Sequence, residues 1–214
     1  MEDLAAIARA VIDGDADAVD RRVSRALEEG FAAEVVLDQG LTTGMAEVGR
    51  RFRANEIFVP EVLVAARAMK AGLAHLEPIF AETGTPPVAT CVIGTVRGDV
   101  HDIGKNLVSM MLRGAGFTVV DLGVNVPAPA FAAAVVEHEP EIVGLSALLT
   151  TTMIQMRPTL QAVKEVAPAT RVMVGGAPVT AAFAEEIGAD GYGANAAEAV
   201  DRALRLVGRS PSAD

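Results

Sequence analysis

Val88-Ala-Thr-Cys-Val-Ile-Gly-Thr-Val96 runs through Arg97 into Gly98-Asp-Val-His-Asp-Ile-Gly-Lys-Asn106. The first stretch is a mostly apolar run of strand length, and the run Ile103 to Leu112 behind it has amphipathic helical spacing. The segment between them is therefore a strand-to-helix loop, the place where open α/β sheets bind their ligands. It carries one imidazole, His101, between two carboxylates, Asp99 and Asp102, with Gly104 three residues on. A histidine fixed by a carboxylate on such a loop can serve as a metal ligand or as a general base.

The alternation continues to the end of the chain. Strand-like apolar runs fall at 88–94, 117–121, 141–146, 171–175 and 189–192, with helical stretches near 103–114, 128–138, 153–166, 179–187 and 195–207. Short, continuously apolar strands between helices predict an α/β domain over 88–214, its parallel sheet covered on both faces. A doubly wound, flavodoxin-like sheet in the order 2-1-3-4-5 is expected, with its crevice beside the first and third strands.

Upstream, residues 1–82 show helical spacing and almost no strand signal. Leu4, Ile7, Ala8 and Val11 stripe one helix, broken at Gly14-Asp15, and a second fits Ala16 to Glu29, closed by Gly30. Met45, Val48, Gly49 and Phe52 stripe another before Asn55. Pro60 suits the first turn of a helix running through Val64 and Met69 towards Leu76. This half reads as a small helical bundle, joined to the second half by a linker at Glu82-Thr-Gly-Thr-Pro-Pro87.

Composition narrows the function classes. The chain has 214 residues, 51% hydrophobic, with 28 acidic against 18 basic side chains and a net charge of −10. No Lys/Arg cluster offsets that charge, so neither nucleic acid nor an anionic membrane is an expected partner. The start lacks a basic signal segment and no apolar run resembles a membrane span, so a soluble, cytoplasmic protein is expected. Cys91 is the only cysteine. Within a strand it reads as a small buried hydrophobe rather than a nucleophile.

In the expected topology the loops after strands one, three, four and five share one rim. The third strand ends in Ser146-Ala-Leu-Leu-Thr-Thr-Thr152, the fourth in Gly175-Gly-Ala-Pro178 and the fifth in Gly191-Tyr-Gly-Ala-Asn195. Each piece alone has an ordinary reading as a surface ion pair, a helix cap or a tight turn. The stretch Gly191 to Ala196 superficially matches a dinucleotide fingerprint but lacks a following strand with its acidic residue. Gly98 to Lys105 misses the phosphate-loop spacing, and Asp99 and Asp102 would repel phosphate. His75 and His138 lie away from this rim, which weakens zinc and di-metal readings. One histidine backed by a carboxylate and facing a glycine- and hydroxyl-lined crevice suits an axial ligand to a metal already held by a macrocycle.

Asp99-x-His101-x-x-Gly104, then Ser146-x-Leu148, then Gly175-Gly176 resembles the three-part signature of cobalamin-binding domains of the methionine-synthase type. Upstream, Met45-Ala-Glu-Val-Gly-Arg-Arg-Phe52 and Asn55-Glu-Ile-Phe-Val-Pro-Glu61 resemble the helical cap domain that precedes them. Together these cover about residues 1–207, an arrangement similar to corrinoid carrier proteins of three-component methyltransferases. The resemblance implies His101 as the lower axial cobalt ligand, in place of the cofactor's own dimethylbenzimidazole. Asp99 would accept the other imidazole N–H, and Thr152 stands where methionine synthases complete this relay with a serine. Gly104, Ser146, Leu148, Thr150, Gly175 and Gly176 would line the slot for the displaced nucleotide tail. Asp102, Ile103, Ala177 and Gly193 are also placed around the cofactor. In the cap, Phe52 matches the family's shielding phenylalanine, while Val59 replaces a leucine.

The implied cofactor is cobalamin, base-off and His-on, alternating between cob(I)alamin and methylcobalamin. The implied role is to carry a methyl group from a substrate-specific methyltransferase to a second, acceptor methyltransferase, which delivers it to tetrahydrofolate or a thiol. A reductive activator protein would rescue accidentally oxidised cobalt, and the 82–87 linker would be the hinge that moves the cap. Alternatives are the small subunit of an adenosylcobalamin mutase, which resembles only the second half, and a cobalamin sensor or regulator. The sensor's cap carries a tryptophan, which this chain lacks.

Overall fold

The computed structural model describes residues 3–83 and 87–209. The chain divides into two compact units that separate between Pro87 and Val88.

The first unit is helical. Helices α1 (Leu4–Ile12) and α2 (Ala16–Glu28) start at aspartate caps, Asp3 accepting from the Ala5 N–H and Asp15 from the Ala18 N–H. The helix striped by Met45, Val48, Gly49 and Phe52 is the last part of one helical run over 33–53: α3 (Ala33–Val35), a π-helical stretch (Val36–Thr42) and α4 (Thr43–Arg53). Gly44 lets this run press on α1, since a Cβ there would come within 2.7 Å of the Ala8 carbonyl oxygen. Helix α5 (Val59–Thr83) continues past Leu76 and through Pro78. Glu82 and Thr83, expected in the linker, therefore close a helix, and residues 84–86 of that linker lie outside the described residues. Ile7, Val11, Val19, Val23, Leu41, Val48, Met69 and Leu76 form the buried interior. No helix among the described residues is long and apolar enough to cross a membrane.

The second unit alternates β1 (Thr90–Thr95), α6 (Ile103–Gly114), β2 (Thr118–Asp121), α7 (Ala128–His138) and β3 (Ile142–Ser146). It continues with α8 (Thr150–Met153), α9 (Met156–Val166), β4 (Arg171–Gly175), α10 (Ala181–Ile187), β5 (Gly191–Gly193) and α11 (Ala196–Leu206). All strand pairs are parallel, in the order β2-β1-β3-β4-β5. This is the expected doubly wound sheet, and its order reverses between β1 and β3. The helix expected at 153–166 is α9, starting at Met156, and the short α8 starts within the stretch Ser146–Thr152 expected as a loop. Val92, Val143, Val172 and Val174 fill the sheet's core beneath Phe131, Met156 and Leu160, the dry interior that holds the strand ends in place.

Strand register sets the site. Thr95 pairs with Ser146, Ser146 with Gly175 and Gly175 with Gly193, so one row crosses the carboxyl end of the sheet. The loops leaving these four residues open on one rim.

Candidate cofactor site

Asp99 follows the β1 end and is completely buried, so each of its lone pairs needs a donor. Its Oδ1 accepts from the His101 ring Nδ1–H at 2.7 Å and from the His101 backbone N–H at 3.1 Å. Its Oδ2 accepts from the Leu148 N–H at 2.8 Å and the Thr152 hydroxyl at 2.6 Å. Burial pushes this carboxyl up, but the Thr152 hydroxyl, the Leu148 N–H and the His101 donors outweigh it and hold it well below the usual carboxylate range. An ionised carboxylate only accepts, so the proton of a neutral His101 sits on Nδ1 and its lone pair on Nε2. The His101 side chain is 46% exposed, and Nε2 makes no hydrogen bond among the described residues.

The other carboxylate of the opening segment does something different. Asp102 is exposed; its carbonyl accepts the Asn106 N–H at 2.7 Å and its Oδ2 accepts the Asn106 side-chain amide at 3.0 Å. It starts α6 rather than holding His101. The Thr152 hydroxyl has one proton and two acceptors in reach, Asp99 Oδ2 and the Leu149 carbonyl at 3.0 Å. The shorter, charge-assisted bond to Asp99 takes it.

Around His101 the rim is apolar and open. Val100, Ile103, Leu148 and Leu149 are exposed, with Ile103 at 75%. Thr150 is exposed beside them, and Ser146 is half-buried. The glycines divide into two kinds. Gly176 has φ +134° and a Cβ there would lie 1.8 Å from the Ala147 carbonyl oxygen, so the fold itself requires glycine. A Cβ on Gly175 would meet the Gly193 carbonyl at 3.2 Å, and one on Gly193 would strike Ala199. At Gly104, by contrast, a Cβ would meet nothing within 4 Å. Ala177 is exposed at the same rim.

Phe52 and Val59 belong to the helical unit, in the last turn of α4 and at the first residue of α5, and both are half-buried. His75 is elsewhere on α5, its Nε2 2.8 Å from Asp20, and His138 ends α7. Burial pushes the Cys91 thiol up to about 12, which leaves it inert in β1. No group of three His, Cys, Asp or Glu side chains that could hold a metal occurs among the described residues. A metal at His101 thus has to bring most of its own ligands.

Two residues escaped the sequence reading. Asn125, in the β2–α7 loop, accepts the Gly98 N–H on Oδ1 at 2.8 Å. Lys105 is buried on α6, paired with Asp121 and donating to Asn106 at 2.7 Å. Gly98 lies 27 residues from Asn125 and Asp121 lies 16 from Lys105; the available signals were an Asn in a Gly-x-Asn turn and a Lys on the inward face of an amphipathic helix.

A free ring nitrogen on a braced, half-exposed imidazole, exposed apolar side chains and open space at Gly104 fit a large ring carrying its own metal. Comparison with known proteins agrees. Two family models, both for a B12 binding domain, match residues 4–77 and 89–201. A corrinoid protein of Desulfitobacterium hafniense is 40% identical over 94% of this chain and 95% of its own length. Dimethylamine corrinoid protein 1 of Methanosarcina acetivorans is 43% identical, again over 94% and 95%. The crystal structure of a methanol:cobalamin methyltransferase complex from Methanosarcina barkeri contains a chain with TM-score 0.84 and 32% identity, covering 98% of this chain and 81% of that one. With its helical and α/β units both matched, the chain belongs to the corrinoid protein family, the cobalamin-binding proteins of methyltransferase systems.

Proposed function

We propose that this protein carries a methyl group between a substrate-specific methyltransferase and a second methyltransferase that passes it to tetrahydrofolate or a thiol. The observation that carries the reading is the His101–Asp99 pair, which leaves Nε2 of a half-exposed ring without a hydrogen-bond partner among the described residues. Bound cobalamin supplies the cobalt that accepts and releases the methyl group. His101 is its ligand from the protein. Asp99 fixes the ring's tautomer and raises its basicity, and Thr152 holds Asp99 in turn. Gly104, Ser146, Leu148, Thr150, Gly175 and Gly176 line the place of the displaced nucleotide tail, Ile103, Ala177 and Gly193 lie around the cofactor, and Asp102 secures the start of α6. Phe52 and Val59 shield the methyl group, with the cap domain at 1–82 and the cobalamin-binding domain at 88–214.

Relatives named for dimethylamine, and a similar chain solved within a methanol:cobalamin methyltransferase complex, support a methyltransferase partner that selects a small methylated donor. An acceptor methyltransferase and a reductive activator complete the set, in the cytoplasm. The test is to incubate the reduced, cobalamin-loaded protein with candidate partner methyltransferases and a panel of methylated amines, alcohols and ethers. Donor- and partner-dependent change of the cobalamin visible spectrum is the expected result. Carbon-skeleton rearrangement with adenosylcobalamin and a mutase large subunit would overturn it.

A further inference from the structure

The carboxylate that orients His101 can hold the ring only as firmly as its own backbone is held. From the β3 side, Leu148 and Thr152 grip the Asp99 side chain. From the β2 side, a single residue grips the main chain. Asn125 accepts the Gly98 N–H on its side-chain oxygen at 2.8 Å, and its own N–H donates to the Asp99 carbonyl at 2.8 Å. These two bonds bracket the two residues that lead into Val100 and His101. Gly98 has φ +83°, a corner in the left-handed region that suits glycine.

Asn125 is itself in the left-handed region, at φ +54°. Glycine would adopt that conformation at lower cost. What asparagine adds is the acceptor for Gly98, so the strain has a use beyond the turn. The loop bearing Asn125 is anchored at both ends. Asp121 pairs with buried Lys105 and accepts the Gly123 N–H at 2.9 Å, and the Val126 N–H donates to Thr95 at 2.9 Å.

We propose that Asn125 is a positioning residue for His101, acting through the Gly98-Asp99 backbone to hold the imidazole on its carboxylate. The inference rests on reading His101 as the cobalt ligand, but its main readout needs no cofactor. In the apo protein, nitrogen-15 NMR follows exchange of the His101 Nδ1 proton, assigned with His101→Ala. Asn125→Gly keeps the backbone donor and the left-handed turn and removes only the acceptor for Gly98. Exchange of that proton is expected to accelerate about tenfold, roughly the change in opening equilibrium when one hydrogen bond is lost. Thermal stability should stay close to the parent. Asn125→Asp, which restores an acceptor, should bring exchange back.

Unchanged exchange in Asn125→Gly would overturn the proposal, as would faster exchange that Asn125→Asp fails to restore. In the cobalamin-loaded protein, Asn125→Gly should also lower the fraction of Co(II) showing histidine nitrogen coupling. Absence of that coupling in the parent would sink the ligand reading and leave the apo result to judge the clamp.

Discussion

The Thr152 hydroxyl lies 2.6 Å from Asp99 Oδ2, joining α8 to the β1–α6 loop across 53 residues of sequence. Both side chains are buried, so the contact is a buried donor meeting a buried charge rather than a surface pairing. Thr152→Val keeps the shape and removes the donor. Because the Leu148 N–H still serves Oδ2, the expected cost is about 1–2 kcal/mol in urea unfolding of the apo protein. Thr152→Ser keeps the hydroxyl and should lose less. Equal losses in the two variants would mean that packing of the methyl group, not the hydrogen bond, holds this contact.

The two kinds of glycine separate fold from binding. Gly176→Ala places a Cβ against the Ala147 carbonyl at a left-handed φ and is expected to cost more than about 3 kcal/mol. Gly104→Ala has free space around it, sits in the first turn of α6 and should fold at least as stably. If that space is the slot for the nucleotide tail, Gly104→Ala will bind cobalamin more weakly, by about tenfold or more for a misplaced methyl group. Equilibrium dialysis of the two cobalamin-loaded variants, beside thermal unfolding, checks both halves. Unchanged affinity in Gly104→Ala removes that residue from the slot.

Much of this architecture was legible because it is local. Helix α6 over Ile103–Gly114 and α7 over Ala128–His138 follow from spacing alone, and the expected strand order is one of the common ones for five alternating strands of a doubly wound sheet. Features set by distant partners were not. Helix α8 reads on paper as a loop of hydroxyls, because nothing local shows that Thr152 turns inward to a carboxylate on another loop. The start of the helical run, 33–42, is obscured by Asp38 and Gly40, poor helix formers that packing against α1 overrides. Asp99 and Asp102 look like twins beside His101, and only geometry shows that one orients the ring while the other starts a helix.

Acid should weaken both units. Arg50, then Arg51, hold the Glu47 carboxyl down to about 2. For Asp190, burial raises the carboxyl, but the Val172 N–H, then Lys164 and Arg171, bring it below its ordinary value. Folded-state values below the unfolded ones mean that this stability is fully present above about pH 4–5. It is lost as pH falls through the depressed folded values. The urea midpoint of the apo protein should therefore decline between about pH 5 and pH 3. Asp190→Asn should be less stable at neutral pH and show a shallower decline. A decline as steep as the parent's would mean that Asp190 does not contribute to it.

His101 donates from its ring to the buried Asp99, so His101→Ala should cost the apo protein about 1–2 kcal/mol in urea unfolding. Its larger effect belongs to the cofactor. The most direct test is electron paramagnetic resonance of the Co(II) form of the cobalamin-loaded protein, parent against His101→Ala. The parent should give a base-off spectrum split by a histidine nitrogen, and His101→Ala should lose that splitting while still binding cobalamin. Histidine coupling that persists in His101→Ala would contradict the assignment of His101 as the cobalt ligand.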